Sequence, residues 1–171
     1  SFDFLDDSGF DVFIYYGYFN MSGNFKHRYK NSNVVGLSIA LNKFLNYIKP
    51  EFIFQTTELD SKSRQDIVDS SMEIMQFMVG LKGEFHIFSF FDVPVLLSLH
   101  VRNGLAVLNF SSDNSDIKSL HYKNVLNFQG DIFIPVFYRL GIGIGADYQI
   151  IFSKGDDITS NAFTMSAMIK I

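Results

Sequence analysis

The sequence predicts an all-β fold, a closed antiparallel up-and-down barrel of eight transmembrane strands, and three observations carry that prediction. Apolar residues recur with a period of two along most of the chain. The residues between them are mainly Gly, Ser, Ala, Asn and Gln with a few charges, rather than the dense Lys/Glu mixture of a water-washed surface. The polar stretches that join the periodic segments alternate between long and short, which gathers long loops at one end and tight turns at the other.

The first segment, "FDVFIYYGYF", is the least regular: Phe10, Val12, Ile14, Tyr16 and Tyr18 share a face, with Asp11, Tyr15 and Gly17 mixed with Phe13 and Phe19 behind. The second sets Val35, Leu37, Ile39 and Leu41 against Gly36, Ser38, Ala40 and Asn42. The third sets Ile48, Pro50, Phe52 and Phe54 against Lys49, Glu51, Ile53 and Gln55, and the fourth sets Phe77, Val79, Leu81 and Phe85 against Met78, Gly80, Lys82, Glu84 and His86. In the fifth, Val95, Leu97, Leu99 and Val101 oppose Leu96, Ser98, His100 and Arg102. In the sixth, Leu126, Phe128, Ile132, Ile134 and Val136 oppose Asn127, Gln129, Asp131 and Phe133. The seventh, "LGIGIGADYQII", has Leu140, Ile142, Ile144, Ala146, Tyr148 and Ile150 on one side and Gly141, Gly143, Gly145, Asp147 and Gln149 on the other. The last sets Phe163, Met165, Ala167, Ile169 and Ile171 against Ala162, Thr164, Ser166, Met168 and Lys170.

Two alternatives compete locally. Asn103-Gly104 is a strong hairpin signal that would split the fifth strand, giving nine. The stretch "SRQDIVDSSMEIMQFMVGL" also fits an amphipathic helix with Ile67, Ile74, Met78 and Leu81 on one stripe, although Gly80 and Gly83 disfavour it. Among the connections, "NMSGNFKHRYKNSN", "TELDSKSRQDIVDS", "SSDNSDIKSLHYK" and "SKGDDITS" are expected as the long loops.

With 171 residues the chain suits one domain, 1–171. Its formal charge of −4 excludes a nucleic-acid binder relying on a broad basic surface. The absence of cysteine removes disulfides, thiolate nucleophiles and Cys-based zinc sites. The first ten residues lack the basic start and apolar stretch of a secretory signal, so a signal is absent or already removed. The longest run without Asp, Glu, Lys or Arg, Val12 to Phe25, is shorter than the roughly 18 residues of a spanning helix.

Alternation alone does not separate a soluble barrel, apolar inside, from a membrane barrel, apolar outside. The small and amide side chains suit a narrow lumen. The charges on that face nearly balance, with Lys49, Lys82, Arg102 and Lys170 against Asp11, Glu51, Glu84, Asp131 and Asp147, so they can pair as a lumen network. Aromatic residues cluster near strand ends: Tyr18, Phe110, Tyr122, Phe152 and Phe163 at the long-loop end, and Phe44, Tyr47, Phe88, Phe90, Phe137 and Tyr138 at the other, as two bilayer interfaces would favour. A one-residue slip would turn charges toward lipid on several strands, so the register is fixed.

On these residues, most specifically "NFQGDIFIPVFYRLGIGIGADYQIIFS" and "AFTMSAMIKI", the chain resembles the small eight-stranded outer-membrane barrels, the group that includes OmpX and the transmembrane domain of OmpA. It departs from that group in ending on Ile171 rather than an aromatic residue and in lacking Trp. The resemblance implies a monomer in a bacterial outer membrane, with the lipid bilayer as its partner and a structural or surface-interaction role through extracellular loops.

The remaining motifs are weak. "GIGIGA" lacks the sixth glycine and the helix of a dinucleotide loop, and Ser38 in "GLSIA" lies inside a strand pattern, so no cofactor and no hydrolase elbow are expected. His86 and His100 both face the expected lumen, about six residues apart in register, roughly 20 Å at strand rise and too far for one metal ion. Glu84, His86 or His100 with Ser98 would be the catalytic candidates if the barrel acted on lipids, but an interior network that fills the lumen is the expected reading, with no catalytic residue and no metal. "FKHRYK" carries Lys26, Arg28 and Lys30, which can bind an acidic host glycan, a host protein or lipopolysaccharide phosphates; as a solvated loop it needs no function. The competing functions are a soluble lipocalin-like carrier of an apolar ligand and an outer-membrane lipid-modifying enzyme.

Overall fold

The computed structural model describes residues 9–22, 25–42, 47–61, 71–112 and 115–171. Eight strands run in chain order: β1 (Phe10–Met21), β2 (Ser32–Leu41), β3 (Ile48–Asp60), β4 (Ser71–Phe90), β5 (Val93–Ser112), β6 (Ser115–Phe137), β7 (Leu140–Ile151) and β8 (Ile158–Lys170). A short helix, α1 (Phe25–Arg28), lies between β1 and β2. Each strand pairs antiparallel with the next, and β8 closes on β1 through pairs such as Val12↔Ile169 and Ile14↔Ala167. Closure pairs every strand on both sides around the middle of the barrel, the condition a sheet must meet in a solvent that offers no hydrogen bonds, while the first part of β6 outreaches β7 and the end of β4 outreaches β3.

Around the middle of the barrel the two faces of the strands fall as the alternation predicts, apolar side out. Leu37 and Ile39 on β2 are 43% exposed, and Ile142 and Ile144 on β7 are 52% and 55% exposed, while Asp131 and Asp147 are buried at 1% and 2%. This inverts the arrangement of a soluble carrier, whose apolar faces would turn inward. The glycines of β7 make room on the inner side. A Cβ on Gly145 would sit 2.2 Å from the Asp131 carboxylate, and one on Gly143 2.8 Å from the Phe133 ring.

Several expectations need correction. Asn103-Gly104 makes no turn: β5 is continuous, with Asn103 paired to Val79 on one side and Leu126 on the other, because the surrounding ladder outweighs a local turn preference. The helical alternative fails from Ser71 onward, where β4 runs, and its earlier residues lie outside the described set. "SSDNSDIKSLHYK" is not a long loop. Its two sides carry β5 and β6 up to the pair Ser112↔Ser115, so the strict alternation of long and short connections does not hold. Phe110 does not stand in the outer belt; its parity matches that of Leu108, and it packs partly buried against the inner cluster beside His121. Val95 is buried although the alternation puts it on the outer face; it lies beside the bulge at Ile87 that shifts the β4–β5 register near the hairpin tip, where Pro94, Val95 and Leu96 are all buried. The other belt residues, Tyr18, Tyr122, Phe152 and Phe163 at one end and Tyr47, Phe88, Phe90, Phe137 and Tyr138 at the other, are all exposed; Phe44 lies outside the described residues.

The polarity of the wall changes with height. Toward the loop end the inner face is apolar, formed by Phe19, Met21, Leu59, Met72, Ile74, Leu108, Ile151 and Ile158, while the outer face of β3 and β4 becomes Glu58, Asp60 and Glu73. Glu58 and Glu73 stand directly opposite each other. Two carboxylates so placed repel, and neither tolerates hydrocarbon, so this level of the barrel lies in water. On β3 and β4 the wall therefore leaves the membrane here and continues apolar within and polar without.

This division predicts unequal responses to charge. Ile144→Lys should cost roughly 2–4 kcal/mol in urea unfolding from lipid vesicles. Glu58→Lys, above the apolar band, should change stability by about 0.5 kcal/mol or less. Equal costs would contradict the assignment of the two levels.

Candidate functional site

The interior is built in layers, and the strand register decides which side chains share each one. Nearest the short-turn end, the start of β1, the start of β3, the lower part of β4 and the end of β8 converge. They bring together Asp11, Lys49, Lys82, Glu84 and Lys170. Asp11 Oδ2 lies 3.0 Å from Lys82 Nζ and 3.2 Å from Lys49 Nζ, and Asn42 donates to Asp11 Oδ1 at 2.8 Å. Glu84 receives Lys170 at 2.9 Å and Lys82 at 3.2 Å. Three ammonium groups thus share two carboxylates. Lysine suits such a cluster because its point charge can face several acceptors at once.

The next layer is organised by Arg102. Its Nε donates to Glu51 Oε1 at 2.8 Å, and Nη1 donates to the carbonyl oxygens of Gln129 and, at 3.2 Å, Asn127. The guanidinium also lies 5.7 Å from the centre of the Tyr15 ring. Ser38 donates to Glu51 Oε2 at 2.8 Å, and Asn127 donates to Asp147 at 2.7 Å. Asp131 accepts from Thr164 at 3.3 Å and Ser166 at 3.4 Å. A planar fork with five donors fits this ring of oxygens better than an ammonium would. Arg102 bonds one carboxylate directly, Glu51, and reaches Asp147 through Asn127, so the lumen divides into a lysine-rich layer and an arginine-centred one.

Of the nine expected lumen residues, Asp11, Lys49, Glu51, Lys82, Arg102, Asp131, Asp147 and Lys170 are buried, and Glu84 is part-buried. The alternation places Phe13, Tyr15 and Phe133 on the inner face, and the structure buries them there. Phe13, Tyr15 and Phe133 pack together at centroid distances of 5.4 and 5.5 Å from Phe13, and Tyr15 donates to Gln55 above Arg102. Their signal was their parity, shared with Asp11 and Asp131.

Ser98, His100 and Glu51 form a chain with the connectivity of a nucleophile, base and carboxylate: Ser98 Oγ is 3.1 Å from His100 Nε2, and His100 Nδ1 is 3.0 Å from Glu51. A nucleophile must also meet a substrate. Ser98 and His100 are both buried, the Phe13 ring stacks on the imidazole at 5.2 Å, and the chain links β5 to β3 across the interior. His86 does not join it. The register places His86 opposite Leu96, four residues rather than six from His100, on the hairpin that projects past the lumen; there it is exposed and 2.9 Å from Ser89. Among the described residues no group of three or more metal-ligating side chains gathers.

At the opposite end the basic segment is folded onto the wall. Tyr29 is buried and bridges to Ser61, and Lys30 N donates to the Asp60 carbonyl at 2.8 Å. Lys26, His27, Arg28 and Lys30 are exposed around this anchor.

An apolar exterior, a closed ladder and an interior of paired charges define a transmembrane β-barrel of the small outer-membrane type. The fold is similar to that of Neisserial surface protein A, with TM-score 0.72 and 15% identity over 96% of this chain and 98% of that one. It is also similar to Ail, the attachment invasion locus protein of Yersinia pestis, with TM-score 0.56 and 18% identity over 94% of this chain and 97% of that one. Ail has also been solved in complex with the heparin analogue sucrose octasulfate. At these identities the likeness is one of fold. No protein-family model matches the chain, and no curated protein matches its sequence.

Removing one member of a buried pair leaves the other charged in a dry site. Arg102→Met should therefore destabilise the barrel by about 3–5 kcal/mol in urea unfolding, whereas Arg102→Met with Glu51→Leu should cost less than Arg102→Met alone. Additive losses would mean that the pair is not coupled.

Proposed function

We propose that this chain is a single integral outer-membrane barrel domain, 1–171, with a structural and surface-interaction role rather than a catalytic one, and that its basic rim binds sulfated or otherwise acidic glycans. One observation carries the reading. Exposed Lys26, Arg28 and Lys30 stand around Tyr29, which fixes the segment to β3 beyond the apolar band. Cations held on a rigid wall lose less freedom on binding than cations on a free loop. The complex of Ail, a protein of the same fold, with a heparin analogue supports the same class of ligand here. A lumen filled by side chains suits a scaffold better than a wide pore, and the burial of Ser98 and His100 argues against lipid turnover at that chain.

The test uses sucrose octasulfate and heparin with the detergent-solubilised barrel. The Lys26→Gln, Arg28→Gln, Lys30→Gln triple variant should bind at least about tenfold more weakly and with a shallower salt dependence, while its unfolding midpoint stays unchanged. Equal binding by the variant, or no binding by the parent protein, would overturn the glycan reading.

A further inference from the structure

The Asn103-Gly104 pair makes no turn, and the outward position of Asn103 gives it another use. Asn103 on β5 and Asn124 on β6 are both exposed on the outer wall. Asn103 stands between Val101 and Leu105 along its strand. Asn124 stands two residues from the belt residue Tyr122, about 7 Å at strand rise. Because Asn103 pairs with Leu126 and Leu105 with Asn124, the two carboxamides are diagonal neighbours on one face, and Asn103 is the deeper. Each carries a donor and an acceptor that hydrocarbon cannot satisfy.

Both asparagines line a groove of about 690 Å³ on the outside of the barrel, whose remaining outer wall includes Leu37, Phe52, Phe54, Phe77 and Val79. Gly104 lets the strands come close at this point, since a Cβ there would meet the Phe77 carbonyl oxygen at 2.0 Å. We propose that this groove binds a lipid acyl chain bearing a hydroxyl near its carbonyl end, with Asn124 bonded to the linkage carbonyl and Asn103 to the hydroxyl. A 3-hydroxyacyl chain offers two polar groups separated by a short stretch of chain and then an apolar tail, the same order as the two asparagines and the aromatic floor. A second copy of the barrel fits less well, because two facing hollows would leave a void between them.

The proposal rests on the membrane reading, and its test separates the two. Native mass spectrometry of the detergent-solubilised barrel would compare 3-hydroxymyristoyl and myristoyl amides carrying one identical headgroup. The parent protein should retain the hydroxylated lipid roughly three- to fifteen-fold better, and Asn103→Leu with Asn124→Leu should abolish that preference while preserving heat-modifiable migration on gels. Equal retention of both lipids by the parent protein would overturn the site, as would a preference that survives in the double variant. A dimer lost on double substitution would overturn it in favour of a second copy. Loss of heat-modifiability in the parent protein would instead sink the membrane reading.

Discussion

The bilayer core supplies no water, and nearly every feature of this barrel answers that constraint. Backbone groups must pair within the sheet, so the sheet closes, β8 on β1. Side chains that touch hydrocarbon must be apolar, so the polar members of each strand have only the narrow interior left to occupy. There they lose their hydration and must find one another. Asp11 faces Lys49 and Lys82, and Glu51 faces Arg102, because the register that hides one partner hides the other. Where the constraint ends, the pattern ends: at the level of Glu58 and Glu73 the wall formed by β3 and β4 turns polar outside and apolar inside, the arrangement that water selects.

The interior is consequently not uniform along its axis. A lysine-rich layer closes the short-turn end, an arginine-centred layer follows, and a plug that includes Phe19, Leu59, Met72 and Ile151 fills the loop end. The plug contributes the ordinary hydrophobic packing that the membrane-embedded half of the barrel cannot gain from water.

Much of this was legible in the residues. A side-chain period of two fixes faces without any knowledge of neighbours, so Ile142 and Ile144 fall outside and Asp147 inside from the spelling of one strand. What escaped was set by pairing. Asn103-Gly104 has the local signature of a turn, and only the flanking strands hold it extended. His86 keeps inward parity but sits on a hairpin that outreaches the lumen, and parity does not report height. The polar segment before Tyr122 reads like a loop from its composition, and only its ladder with β5 holds it extended. Which carboxylate meets which cation was likewise unreadable, since those partners lie on different strands: Glu51 and Arg102 are 51 residues apart.

The rim and the groove both use what the fold leaves over: cations anchored where the wall meets water, and two carboxamides where it meets lipid. Both depend on the orientation of the wall, and the absence of native cysteine lets single spin labels report it without interference. Labels placed one at a time from Ile142 to Gln149, in reconstituted bilayers, should show high oxygen accessibility at Ile142, Ile144, Ala146 and Tyr148 and low accessibility at Gly143, Gly145, Asp147 and Gln149. The opposite phase, or a profile with no two-residue period, would contradict the account.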